Sequence, residues 1–146
     1  ANGLAARFPE DDVRSVGRSA RGVIGIRLTP GDSVVSANVV EERTCLLTVT
    51  ERGFGKRSRV EEYPVHGRGA KGVISIKTTE RNGKAVDHLQ VRDEDEVVMI
   101  TNNGKLIRTK VADISILGRN TQGVKLMDLG DEDQIVSVGR VADSGE

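Results

Sequence analysis

Apolar and polar positions alternate along this chain in short runs rather than at helical spacing, which predicts β-strands separated by turns. The β-branched run VVMIT (97–101) ends at Asn102, Asn103-Gly104 follows, and KLIRTKV (105–111) leads out. Asn-Gly tolerates positive φ at both central positions and closes tight hairpins. The same pattern occurs earlier as LLTVT (46–50), a turn at Glu51 to Gly53, and FGKRSRV (54–60). A connector, EEYPVH (61–66), precedes a third strand, GVISIK (72–77). The polar turn TERNGK (79–84) precedes a fourth, AVDHLQV (85–91), and the acidic turn RDEDE (92–96) closes the set. No stretch combines helical periodicity with an N-cap.

This pattern repeats. GRSARGV begins at Gly17, GRGAKGV at Gly67 and GRNTQGV at Gly118, spaced by 50 and 51 residues. Gly3, Gly53 and Gly104 keep the same register, as do Val35, Val86 and Val136, and Val40, Val91 and Val141. The chain of 146 residues therefore reads as three units of about 50, at 1–47, 48–98 and 99–146, with arbitrary cut points. Four short strands per unit predict an all-β, propeller-like array of blades. The phrase glycines predict a tight bend. With no Trp there is no Trp-Asp blade signature.

Composition changes this picture little. Aromatic residues are 2% of the chain, so Val, Ile, Leu and Ala must build the core. No apolar run reaches the ~20 residues of a membrane helix. The first residues lack a signal-peptide stretch and an initiator Met, so the sequence reads as a piece of a longer protein. The single cysteine, Cys45, lies in the apolar run TCLLTVT and reads as a buried thiol, which fits a reducing compartment.

Charge changes it more. The formal net charge is zero, but the signs are segregated. Strand alternation puts Arg57 with Arg59, and Arg108 with Lys110, on one face, with Val60, Ile107 and Val111 on the other. Arg7 holds the first of these places in the first unit and Pro9 the second. The phrase adds Arg18 and Arg21, Arg68 and Lys71, and Arg119, with Gln122 in the last basic place. The acids gather elsewhere, at Glu41 and Glu42, Asp93 to Glu96, and Asp131 to Asp133. A periodic basic band suits a regular polyanion, and duplex DNA carries about one charge per 1.7 Å of axis. A charged strand face that is merely solvated reads the same way.

Catalytic and metal chemistry find little support. Tyr63, His66 and His88 lack partners at metal-ligand or nucleophile spacing. Asp93 to Glu96 lacks the pattern of a calcium loop. GRGAKGV lacks the spacer and the Ser or Thr of a phosphate-binding P-loop.

Three long variants in order, FPEDDVRSVGRSARGVIGIRLTPGD (8–32), TERGFGKRSRVEEYPVHGRGAKGVISIK (50–77) and NNGKLIRTKVADISILGRNTQGVKLMDL (102–129), resemble the last three repeats of the C-terminal domain of DNA gyrase A. The resemblance implies a β-pinwheel, in which four-stranded blades exchange strands with their neighbours. It implies a non-catalytic module that wraps double-stranded DNA, without reading sequence, around a basic perimeter. The parent enzyme introduces negative supercoils with ATP. ATP and Mg would be bound elsewhere in it, with no cofactor in this part. The implied partners are the rest of gyrase A and gyrase B, with a cytoplasmic, nucleoid-associated location and no membrane. The perimeter cations would be Arg7, Arg57, Arg59, Arg108 and Lys110, with Arg18, Arg21, Arg68, Lys71 and Arg119 supporting them at the blade edges. Two departures stand out. The family normally has six blades, and three open units leave edges that could pair in a dimer. The family's box, Gln-Arg-Arg-Gly-Gly-Lys-Gly, is absent, GRGAKG at Gly67 being the nearest match. The corresponding domain of topoisomerase IV and a propeller serving only protein contacts are the alternative readings.

Overall fold

The structure, a computed structural model, describes residues 1–141. It is all-β, with nine strands: β1 Leu4–Ala5, β2 Cys45–Thr50, β3 Phe54–Arg59, β4 Val73–Ile74, β5 Ala85–Val91, β6 Glu96–Thr101, β7 Leu106–Lys110, β8 Val124–Lys125 and β9 Ile135–Val141. A single 3-10 turn follows the second strand of each unit, at Glu10–Asp12, Val60–Glu62 and Val111–Asp113. Both predicted hairpins are present, β2 with β3 and β6 with β7.

The sheets run across the repeat boundaries. The middle sheet has the order β5-β2-β3-β8, and β8 comes from the third unit. Phe54 lies opposite Lys125 and Gly55 opposite Val124. One unit earlier, β1 pairs with β4, with Leu4 opposite Ile74 and Ala5 opposite Val73. The second and third units therefore each lend the strand after the phrase to the blade before. This is the strand exchange of a β-pinwheel. The third sheet has only β7-β6-β9, so the outer edge of β7 carries no strand among the described residues.

Two cores lie on either side of the central strand. Cys45, Leu47 and Val49 of β2 face the third unit and pack with Val97, Met99, Val111, Ile114 and Ile135. Leu46, on the opposite face, packs with Val60 and Tyr63 and against Ala5, Val40 and Val73. Burial on both faces explains why β2 reads as an almost unbroken apolar run. Cys45 is buried as expected, and burial pushes its thiol pKa up.

Two expectations are corrected. The third strand is shorter than GVISIK suggests, only Val73–Ile74 in the second unit and Val124–Lys125 in the third, and among the described residues the first unit has none. The fourth strand of the first unit, expected around Val35 to Val40, is not a strand. Its counterparts β5 and β9 pair with β2 and β6, and among the described residues no strand of the first unit stands in the corresponding partner position. Residues 33–40 lie instead against β5, where Ser36 Oγ and the Asn38 side-chain amide both donate to the His88 carbonyl, at 3.1 and 2.6 Å.

Candidate nucleic-acid interface

The strand exchange decides which cations reach the surface. Arg57 sits on β3 where the connector of the third unit crosses it, in a parallel bridge to Ile116. Its residue is 5% exposed. The guanidinium Nε donates to the Ile114 carbonyl at 2.8 Å, and Nη1 donates to Asp93 Oδ1 at 2.5 Å. Arg57 is therefore not a perimeter cation. Arg7 repeats the arrangement one unit earlier, donating to the Val60 and Tyr63 carbonyls at 3.1 and 3.2 Å. Alternation placed Arg57 beside Arg59 correctly. It could not show that a neighbouring unit covers the first and stops short of the second, which is exposed.

The phrase arginines form a second row pointing the other way. Arg68 donates back to the Asp12 and Ile24 carbonyls of the first unit, at 3.0 and 3.1 Å. Arg119 donates to the Glu62 and Ile74 carbonyls of the second, at 2.6 and 2.7 Å. Its guanidinium also lies over the Tyr63 ring, 5.8 Å from the centroid. Each junction is thus clamped from both sides, by one arginine reaching forward from the hairpin and one reaching back from the phrase.

Lys56 adds a third clamp at the later junction. Its side chain is fully buried, and Nζ donates to the Gly118 and Arg119 carbonyls and to Thr121 Oγ1, at 2.6, 2.5 and 2.8 Å. Burial pulls its pKa down to about 8, with Glu62 opposing and Arg119 adding to the fall. The unfolded chain holds this proton up to about pH 10.5. The folded state therefore binds fewer protons between those values and gains stability as pH rises through them. Urea melts between pH 7 and 10.5 should show the native chain gaining on Lys56→Met across that window. A constant difference between the two would remove Lys56 as the source.

The cations left for a ligand are the exposed ones. Arg21 and Lys71 occupy one repeat position, and Arg59 and Lys110 another. All four are exposed and make no ion pair among the described residues. Arg18 is likewise exposed. Arg108 is exposed but paired with Glu96 across the hairpin. Sequence reasoning missed Arg27 and Lys77, which also share a repeat position and are exposed. Carrying the register one strand past the phrase would have found them. Arg27, His66, Arg68 and Lys71 line an open hollow of about 480 Å³ whose floor is the phrase itself, Gly67 to Val73. Cations around a glycine-rich main chain form a surface suited to phosphate oxygens.

Tyr63, Ser75 and His88 form a separate buried polar cluster. Tyr63 Oη lies 2.7 Å from Ser75 Oγ, which lies 3.2 Å from His88 Nε2. Burial, and then the nearby Lys56 ammonium, pull the His88 pKa down to about 4, so the imidazole is neutral at physiological pH. Nothing in the spacing of these residues announced the cluster, whose members come from the connector, the end of β4 and β5 of one unit.

The sequence profile of the family described as DNA gyrase C-terminal domain, beta-propeller, matches residues 1–41, 46–87 and 95–142. The chain belongs to that family. Individual relatives of this DNA gyrase C-terminal domain agree. The chain is 49% identical to the DNA gyrase A protein of Salmonella typhimurium and 50% identical to that of Escherichia coli, each over 98% of this chain. It spans only 16% of the length of those relatives. A solved DNA gyrase A C-terminal domain superposes with a TM-score of 0.88 at 34% identity, over 95% of this chain and 47% of that one. A topoisomerase IV C-terminal domain superposes at 0.89 with 27% identity, over 97% and 44%.

Proposed function

We propose that this chain is a DNA-wrapping module of a DNA gyrase A protein, binding duplex DNA along its exposed basic positions without reading base sequence. One observation carries the reading. Three pairs of exposed cations, Arg21/Lys71, Arg59/Lys110 and Arg27/Lys77, recur one repeat apart. A cation row with the period of the blades follows a bent phosphate backbone, whereas scattered surface charge does not. The module itself is non-catalytic. Strand cleavage, ATP and Mg belong to other parts of the type II topoisomerase, formed with the rest of gyrase A and with gyrase B, in the cytoplasm at the nucleoid. The gyrase reading is preferred to topoisomerase IV because the curated relatives above are gyrase A proteins.

A salt series on a duplex of arbitrary sequence tests this. Each phosphate neutralised contributes ~0.9 to the slope of log affinity against log salt. Replacing Arg21, Arg27, Arg59, Lys71, Lys77 and Lys110 by alanine should flatten that slope by up to about 5. Binding that is absent at low salt, or a slope that survives all six changes, would overturn the proposal.

A further inference from the structure

The main chain around the phrase hollow repeats from one junction to the next, but the side chains on it do not. At the first junction the Arg27 N–H donates to the Ala70 carbonyl and the His66 N–H to the Arg7 carbonyl, both at 2.9 Å. At the second, the Lys77 N–H donates to the Thr121 carbonyl and the Leu117 N–H to the Arg57 carbonyl, both at 2.8 Å. Arg27, His66, Arg68 and Lys71 therefore stand where Lys77, Leu117, Arg119 and Gln122 stand one repeat later. The first hollow gathers three permanent cations and an imidazole. The second position offers two cations, an aliphatic side chain and an amide.

The charges of the first hollow are open to a ligand. All four residues are exposed, and Lys77 is exposed with a unit on either side of it, so exposure belongs to that repeat position. None of the four makes an ion pair among the described residues. The acid that reaches the group is Asp12, whose Oδ2 accepts the Arg68 main-chain N–H at 3.3 Å. The Arg68 guanidinium itself donates to the Asp12 and Ile24 carbonyls, which leaves its charge uncancelled. Arg7, whose carbonyl holds the His66 N–H, turns its guanidinium to the Val60 and Tyr63 carbonyls instead.

We propose that this hollow is a proton-linked phosphate seat, in which His66 takes up a proton from solvent as a DNA phosphate enters among Arg27, Arg68 and Lys71. It rests on the binding of duplex DNA proposed above, and adds to it one residue and a dependence on pH. The protonated imidazole donates a charge-assisted hydrogen bond to a phosphate oxygen. Negative charge within a few ångströms favours the charged imidazole, so phosphate and proton bind together. Histidine is the side chain whose charge ordinarily changes between pH 5 and 8, and this chain has two. The other, His88, is kept neutral by burial, with its pKa pulled down to about 4. His66 is thus the histidine that can link the two, and it occurs at one junction only.

Binding of the 146-residue chain to a duplex of arbitrary sequence, at fixed low salt from pH 5.5 to 7.5, tests this. Affinity should rise roughly two- to fivefold as pH falls, the size of one solvent-exposed ion pair. Calorimetry in two buffers of different ionisation enthalpy should register the uptake of up to about one proton on binding. His66→Gln should bind at the weaker level throughout and lose that uptake, whereas His66→Lys should bind at the tighter level throughout. Lys56 titrates near the top of the range but is common to all three proteins, so their differences isolate residue 66. A native profile no steeper than that of His66→Gln, or an equally steep one in His66→Lys, would overturn the proton-linked seat and leave DNA binding standing. Absence of binding at low salt would overturn DNA binding itself, and the seat with it.

Discussion

Arg57→Ala is expected to lower the unfolding free energy by roughly 2–4 kcal/mol, while Arg59→Ala, two residues further on, changes it by no more than about 0.5 kcal/mol. The difference follows from where each guanidinium ends. Arg57 is buried and donates to the Ile114 carbonyl, and its loss leaves that buried carbonyl without its donor. It also removes the packing that seats the third unit's connector on β3, next to the parallel bridge with Ile116. The Asp93 ion pair adds less, because that carboxylate is 78% exposed and water can take over its charge. Arg59 is exposed and holds no such contact. Urea melts of the two single variants provide the comparison. DNA binding should reverse the order. Arg59→Ala should lower the salt slope by about 0.9, and Arg57→Ala should leave it unchanged wherever the chain is folded. Equal stability losses would mean that Arg57 is not the clamp its burial implies.

The contrast between these neighbours shows what the sequence could carry. Period and turn chemistry are local, so the 50-residue repeat and the hairpins at Gly53 and Asn103-Gly104 were legible without coordinates. Strand alternation correctly put Arg57 and Arg59 on one side of a strand. The covering of that side depends on which unit donates β8, and nothing within β3 records its partner. The Tyr63–Ser75–His88 cluster was hidden because its members are separated along the chain and meet only when the connector, β4 and β5 pack together. The arginine of the phrase was the most visible basic residue in the chain, and it is largely a joint between units. The exposed cations Arg21, Lys71, Arg59, Lys110, Arg27 and Lys77 lie outside that joint.

Gly72→Ala and Gly123→Ala should each cost roughly 3–5 kcal/mol, whereas Gly22→Ala and Gly104→Ala should each cost only about 1 kcal/mol. All four residues have positive φ, at 88°, 78°, 79° and 77° in that order, so the left-handed strain of an added Cβ is common to all. Their surroundings differ. A Cβ on Gly72 would come within 2.5 Å of the Ala5 carbonyl oxygen, and one on Gly123 within 2.7 Å of the Gly55 carbonyl oxygen. Both are main-chain atoms inside strand pairings, so relief would have to come from parting β1 from β4, or β3 from β8. At Gly22 and Gly104 an added Cβ meets nothing within 4 Å. Urea melts of the four variants separate strain from contact: four equal losses would mean that the approach of Gly72 and Gly123 to the neighbouring main chain is not what restricts those positions.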